Sequence, residues 1–387
     1  MITRTISAAS VQTVAASAQV KAQAGARLAF LDTLKVGLTL LVIAHHAGQA
    51  YGPTGGDWPI FSLERSPLLG PFFAVNAAFF MGLFFFISGY FVPPAFDRKG
   101  AATFLGDRLR RLGIPILVFA LLVFGPILYF DQDQPFSWSQ FLGSLYPDEV
   151  KTLFGHLWFL GHLLVYAAGY AVWRQLARRA PAGLPLPTNA AILAYTLLLA
   201  LVSAVVRDAY PIDRWVTLLV VPAEVAHLPQ YISLFALGIL AYRGDWLRCL
   251  PRATGMTWLG VGLAAAIARY AYSLGGERWL PPLPEPLDGL LWPTWEAFIC
   301  VGLSLGLLIL FRERFNRQPG RLLAAMSGAA YAAYVVHVLP VVSVQYGLES
   351  LPLSSFAKFL LATLAGAALS FGIGHLLRKA PGARRIL

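Results

Sequence analysis

Ten apolar runs separated by short polar connections set the pattern of this chain, at 31–50, 71–92, 112–130, 157–173, 190–206, 229–242, 256–273, 289–311, 324–345 and 354–377. A helix needs about 20 apolar residues to cross a bilayer, and fewer where the bilayer thins. The pattern therefore predicts an all-α, polytopic membrane protein, one bundle of about ten transmembrane helices. The sixth run is the shortest. Residues 221–230 lead into it and read as an interfacial or re-entrant piece. Met1–Ala26 is polar, rich in Ala, Ser and Gln, and has no apolar h-region, so no cleavable signal peptide is expected there. Three parts follow: a mobile cytoplasmic tail at 1–26, a membrane domain at 27–378 and a basic cytoplasmic tail at 379–387. No repeat, low-complexity insert or appended soluble domain interrupts them.

Composition agrees with the pattern. The chain is 57% hydrophobic and only 13% charged, with a mean hydropathy of +0.64, whereas soluble domains carry about 25% charged residues. The net charge of +11 is a topology signal. With both termini cytoplasmic, the inner segments hold 22 Lys and Arg and the outer ones 7, while acidic residues divide 4 to 13. That is the positive-inside bias of a multi-pass membrane protein, not a nucleic-acid footprint. Reporter fusions after His156 and after Arg317 are accordingly expected on opposite sides, outside and inside. The same side for both would remove this topology. Cys249 and Cys300 fall at different depths, so no disulfide is expected.

Polar residues inside the runs are the informative ones. Along the first helix, at about 100° per residue, Asp32 at zero puts Lys35 at about 300°, Thr39 at about 340° and His46 at about 320°. These four share one stripe, with Gln49 at about 260°, while His45 falls at about 220°, off it. A polar stripe in a span faces the bundle interior or a water-filled cavity. His45 reads more simply as an interface residue.

In "FLGDRLRRLGIP" (Phe104 to Pro115), Arg108 and Arg111 are three apart and project from one helical face, and Arg110 does not. Two guanidiniums so placed can grip a phosphate or pyrophosphate bidentately. The plain alternative is positive-inside anchoring, with Asp107 paired to Arg111 across one turn.

Six of the seven histidines, His45, His46, His156, His162, His227 and His337, fall in the outer half or just above it, and His375 lies near the inner surface. "GHLWFLGH" adds Trp158 beside His162, and "YAAYVVHVLP" puts Tyr334 and His337 on one helical face. These four are candidate substrate-binding residues, with interfacial belt aromatics as the bland reading. No H-x-x-x-H pair and no carboxylate at ligand spacing accompanies them, so no metal is expected. "FFFISGY" (Phe84–Tyr90) lacks the Gly two residues before its Ser that a serine hydrolase uses. Ser88–Gly89 reads instead as a small step for close helix packing. "GPTGGDW" is an outer loop with no strand before it, not a phosphate cradle.

Three pieces in order, "RLAFLDTLKVGLTLLVIAHHA", "FFFISGYFVPPAFDRKGAATFLGDRLRRLGIP" and "YAAYVVHVLPVV", resemble the acyltransferase 3 family of integral membrane acyltransferases. The resemblance runs from about Arg27 to Leu377, with a looser likeness to the branch that modifies periplasmic glucans. It implies that His46, fourteen residues after Asp32, is the essential histidine. It further implies that Arg108 and Arg111 hold the phosphates of a cytoplasmic acyl-CoA, with Lys35 where the family usually has Arg. Tyr334 and His337 match its late Tyr-x-x-His. The implied activity moves an acyl group of the acetyl or succinyl class to a hydroxyl of an extracytoplasmic glycan, at the inner cell membrane and without a metal. With no hydrolase-like extra domain, direct transfer is expected. His46 would be the general base, about 24 Å along the helix axis from Phe30. Asp32 is too far to orient it, which leaves Glu296 as the one intramembrane carboxylate for that task. The rival class is a transporter or flippase of a small anionic or lipid-linked substrate, which would predict inverted repeats and helices broken at mid-depth. Nothing in the sequence fixes an oligomeric state.

Overall fold

Prolines and glycines decide where the apolar runs stop and bend. The computed structural model describes residues 28–53, 58–130, 143, 149–177, 183–278, 284, 287–317 and 319–387. The expected N-terminal tail thus lies outside the described residues. Helix α1 is Ala29–Gln49 and α2 is Leu69–Tyr90, continued past Phe91 by α3, Val92–Lys99. A glycine, Gly100, separates α3 from α4, Ala101–Arg108. From there the helix runs on through π-helical Leu109–Gly113, α5 at Ile114–Phe119, π-helical Ala120–Phe124 and α6 at Gly125–Phe130. A short α7, Val150–Phe154, precedes α8, Trp158–Ala177, and α9, Asn189–Ala209.

An antiparallel hairpin follows, β1 at Trp215–Leu218 and β2 at Val221–Glu224, in register from Trp215 opposite Glu224 to Leu218 opposite Val221. The piece expected to be interfacial or re-entrant is thus β2 plus a 3-10 turn leading into α10, Leu228–Arg243. The chain closes with α11, Trp246–Cys249, α12, Arg252–Ser273, α13, Leu287–Phe315, α14, Arg321–Val336, α15, Val338–Leu348, and α16, Ser355–Leu377.

The protein is all-α and polytopic, and among the described residues that hairpin is its one sheet. Among the described residues, eight helices are long and apolar enough to cross a membrane, or nine if α14 and α15 count as one bent span. The tenth expected span is the 22-residue helix α12, which is not among them because Arg252, Arg269 and its small residues dilute its hydropathy.

Helix α1 is the centre of the bundle, packed by α2, α13, α14, α15 and α16. Its polar stripe therefore runs among neighbouring helices, with Thr39 buried. Lipid gives no hydrophobic drive for helices to associate, so close backbone approach at small residues matters more. Gly89 supplies one such approach, as its Ser-Gly step suggests: a Cβ there would lie 2.1 Å from the carbonyl oxygen of Phe235. Across the same crossing a Cβ on Gly238 would lie 2.1 Å from Phe86 O. The leucines and valines of α9, such as Leu197, Leu201 and Val205, point outward instead, as lipid-facing residues do. Cys249 and Cys300 are both free thiols.

Candidate active site

The span at 324–345 is broken. Helices α14 and α15 meet at 70°, with His337 at the joint. Pro340 explains the break: it has no N–H to donate, and its ring collides with the carbonyl four residues earlier, Val336. The apolar pattern runs through this break without a gap, yet the helix is bent there. A helix end leaves its last carbonyls without intrahelical donors, and two of the last three in α14 are met by imidazoles. His337 Nδ1 lies 2.6 Å from Tyr334 O, and His156 Nε2 lies 2.9 Å from Val335 O. His156 comes from the 3-10 turn before α8. Tyr334 returns the contact, its hydroxyl donating to His156 O at 2.7 Å.

His46 completes a triangle of rings. Its centroid is 4.8 Å from that of His337 and 6.5 Å from that of His156, and the latter two are 4.8 Å apart. Hydrogen bonding assigns the tautomers. A carbonyl only accepts, so His337 carries its proton on Nδ1, which leaves Nε2 as an acceptor. His46 Nδ1 sits 3.0 Å from that nitrogen and 3.0 Å from Val42 O. It must therefore carry the hydrogen, aimed between two acceptors. The lone pair of neutral His46 is then on Nε2. That atom has no hydrogen-bond partner among the described residues and is not sealed in the interior. His337 and His156 are buried, while His46 keeps open surface.

His45 lies elsewhere. Its ring stands 5.1 Å from Phe73, 5.2 Å from Phe80 and 6.4 Å from Phe72. Helical phase separates the neighbours as the sequence indicates.

One further group covers His46. Trp58, in the connection between α1 and α2, stacks on its ring at 5.5 Å and 29°. The Trp58 indole N–H donates to Gln345 Oε1 at 2.8 Å, and Gln345 Nε2 donates to Ala47 O at 3.0 Å. Neither Trp58 nor Gln345 stands out in the sequence.

Arg108 and Arg111 lie two turns of α14 away from the histidines. Pro115 lacks the N–H that an α-helix would send to Arg111 O, and the helix widens to π geometry just before it. The Arg111 carbonyl accepts from the Tyr331 hydroxyl instead, and the Arg111 guanidinium lies 5.5 Å over the Tyr331 ring. Arg108 lies 5.2 Å over Phe104. Among the described residues neither guanidinium has an ion pair. Asp107 is taken by Lys99 and, at 3.9 Å, by Arg110 rather than by Arg111.

The remaining candidates lie apart. Lys35 pairs with Asp32 at 2.8 Å and sits 5.4 Å over Phe91. Glu296 does not orient His46. Its carboxylate accepts from Arg207 Nη2 at 2.5 Å, because α13 turns that face toward α9, and Arg207 is the nearby cation needing a partner in a half-buried setting. The side chain that meets His46 Nδ1 is His337. Trp158 and His162 join a neighbouring aromatic group: Trp158 stacks on Tyr231 at 5.6 Å, and His162 Nε2 donates to Pro222 O at 3.0 Å. Among the described residues no cluster of His, Cys, Asp and Glu is arranged to hold a metal.

The family model that matches the chain, described as an acyltransferase domain of the acyltransferase 3 type, covers residues 28–375. Similar proteins include the glucans biosynthesis protein C of Salmonella paratyphi B, of Salmonella enteritidis PT4 and of Salmonella heidelberg. Each is 27% identical over 329 residues, which is 80% of this chain and 80% of theirs. No solved structure matches.

Proposed function

Because this chain belongs to the acyltransferase 3 family and is therefore a membrane acyltransferase, we propose that it moves an acyl group from acyl-CoA to a hydroxyl of a glycan, with His46 Nε2 as the general base. The observation that carries the base is the run of hydrogen bonds from Tyr334 O through His337 to His46, which leaves one free lone pair on one accessible ring. In this reading the hydroxyl proton passes to Nε2 as the oxygen attacks the thioester carbonyl. The C–S bond then breaks, and the departing thiolate takes the proton back from Nε2. While His46 is an imidazolium, its Nδ1–H donates to His337 Nε2 and Val42 O, which spreads the charge in a site short of water.

The donor's phosphates fit Arg108 and Arg111, neither of which has an ion pair among the described residues. Tyr331 and Tyr334 of α14 and His337 at its end, three residues apart each, form a ridge about 9 Å long that leads from those arginines to the base. The donor is taken to be cytoplasmic and of the acetyl or succinyl class. The name of the Salmonella relatives supports a glucan as the acceptor. The test is purified protein in nanodiscs with acetyl-CoA or succinyl-CoA and a β-glucan oligosaccharide, followed by thiol release and mass spectrometry of the glycan. Thiol release without glycan acylation would remove the acceptor class, and neither product would remove the donor class.

Arg108→Lys and Arg111→Lys are each expected to weaken acyl-CoA binding about tenfold, the worth of one charge-assisted hydrogen bond, because the planar fork is lost while the charge stays. Arg110→Lys should bind normally. Calorimetry decides, and equal losses at all three positions would point to topological anchoring alone.

A further inference from the structure

The loop between α1 and α2 does more than connect. It folds back over the end of α1 through Ser62 N to Ala50 O at 2.9 Å and Ser66 N to Tyr51 O at 2.8 Å. Ser355 Oγ at the start of α16 donates to Glu64 O at 2.5 Å. The effect of that fold is to lay Trp58 flat on the one imidazole of the triangle that has open surface. Its N–H donates to Gln345, which holds the indole in one orientation.

The tie also reports on α1. Tyr51 N bonds to Gly48 O at 2.9 Å rather than to the Ala47 carbonyl, which leaves Ala47 O for the amide of Gln345. With that amide's nitrogen on Ala47 O, its oxygen can only face Trp58, so the orientation is fixed. Gln345 is fully buried. One side chain of α15 thus holds both the residue next to His46 and the ring that covers His46.

Resting on the proposed acyl transfer, we infer that Trp58 is a specificity-determining cap, which covers one face of the His46 ring, narrows the approach of water to the edge where Nε2 lies, and so favours transfer to the acceptor over hydrolysis of the donor. A general base does not distinguish the proton of a sugar hydroxyl from that of water. Water attack would form a carbon–oxygen bond at the thioester carbonyl, break the C–S bond and release free acid and thiol. His46 Nε2 would carry the proton from water to sulfur in the same way. Restricting water favours transfer to the acceptor, and an indole over one face of the ring narrows its approach.

The test uses full-length protein in nanodiscs as wild type, Trp58→Ala, Trp58→Phe and Gln345→Leu. Carbethoxylation of His46 by diethyl pyrocarbonate, mapped by mass spectrometry, reads access independently of turnover. It should speed severalfold in Trp58→Ala and Gln345→Leu, and by less in Trp58→Phe, which keeps a ring but loses the N–H that Gln345 holds. Thiol release from acetyl-CoA without acceptor, divided by glycan acylation with acceptor, should rise severalfold in the same two variants. Unchanged carbethoxylation in Trp58→Ala overturns the cap. Faster carbethoxylation with an unchanged ratio overturns its role in choosing the acceptor. Faster carbethoxylation in a protein whose wild type turns over no acyl donor keeps the cap over His46 and overturns the acyl-transfer reading beneath it.

Discussion

His46→Ala is expected to lower glycan acylation by about 10²–10⁴ fold, the usual worth of a general base, with expression and acyl-CoA binding unchanged. His45→Ala should keep most of the activity. The two residues are neighbours in sequence, yet one ring lies between His337 and Trp58 and the other among Phe72, Phe73 and Phe80. Deleting His45 removes packing from an apolar setting and touches no reacting atom. The measurement is acylated glycan per unit protein, beside calorimetry with acyl-CoA for each purified variant. An active His46 variant, or an inactive and well-folded His45 variant, would overturn the assignment of the base.

His337→Phe is expected to cost about 10² fold or more in kcat, although under this mechanism its side chain touches neither donor nor acceptor. Its role is to accept the Nδ1 hydrogen of His46, which fixes the tautomer and shares the charge that forms. An orienting group that loses this ability costs heavily in the related serine hydrolase arrangement. The KM for acyl-CoA should hold, since Arg108 and Arg111 are untouched. His337→Gln separates chemistry from structure, because its amide oxygen can take the same hydrogen and should restore part of the rate. Equal losses in Phe and Gln variants, with matching losses of thermal stability, would make His337 a packing residue only.

Much of this was legible in the chain because it rests on local periodicity. The apolar runs give the helices. The phase of α1 separates His46 from His45, since about 100° between neighbours cannot be undone by packing. The spacing of Arg108 and Arg111 puts them on one helical face, whereas Asp107 meeting Lys99 and Arg110 instead is a matter of the fold. Glu296 was misread because nothing local tells a carboxylate which helix it will meet: its partner Arg207 lies 89 residues away on α9. The joint at His337 could have been inferred from Pro340, whose missing N–H ends a helix wherever it stands, but the use made of the freed carbonyls could not.

The sequence by itself determined the membrane class, the helical elements and which side chains are too polar to face lipid, because bilayer thickness and helix pitch act on each segment alone. Only the tertiary structure decided which of those side chains meet. His46 and His337 are 291 residues apart, His156 and Val335 are 179 apart, and Trp58 and Gln345 are 287 apart. Such pairings depend on how α1, α8, α14 and α15 pack. Packing among lipid-exposed helices is chosen by the close approach of small residues and by the need to satisfy every polar group away from water, and neither is a property of any one stretch of the chain.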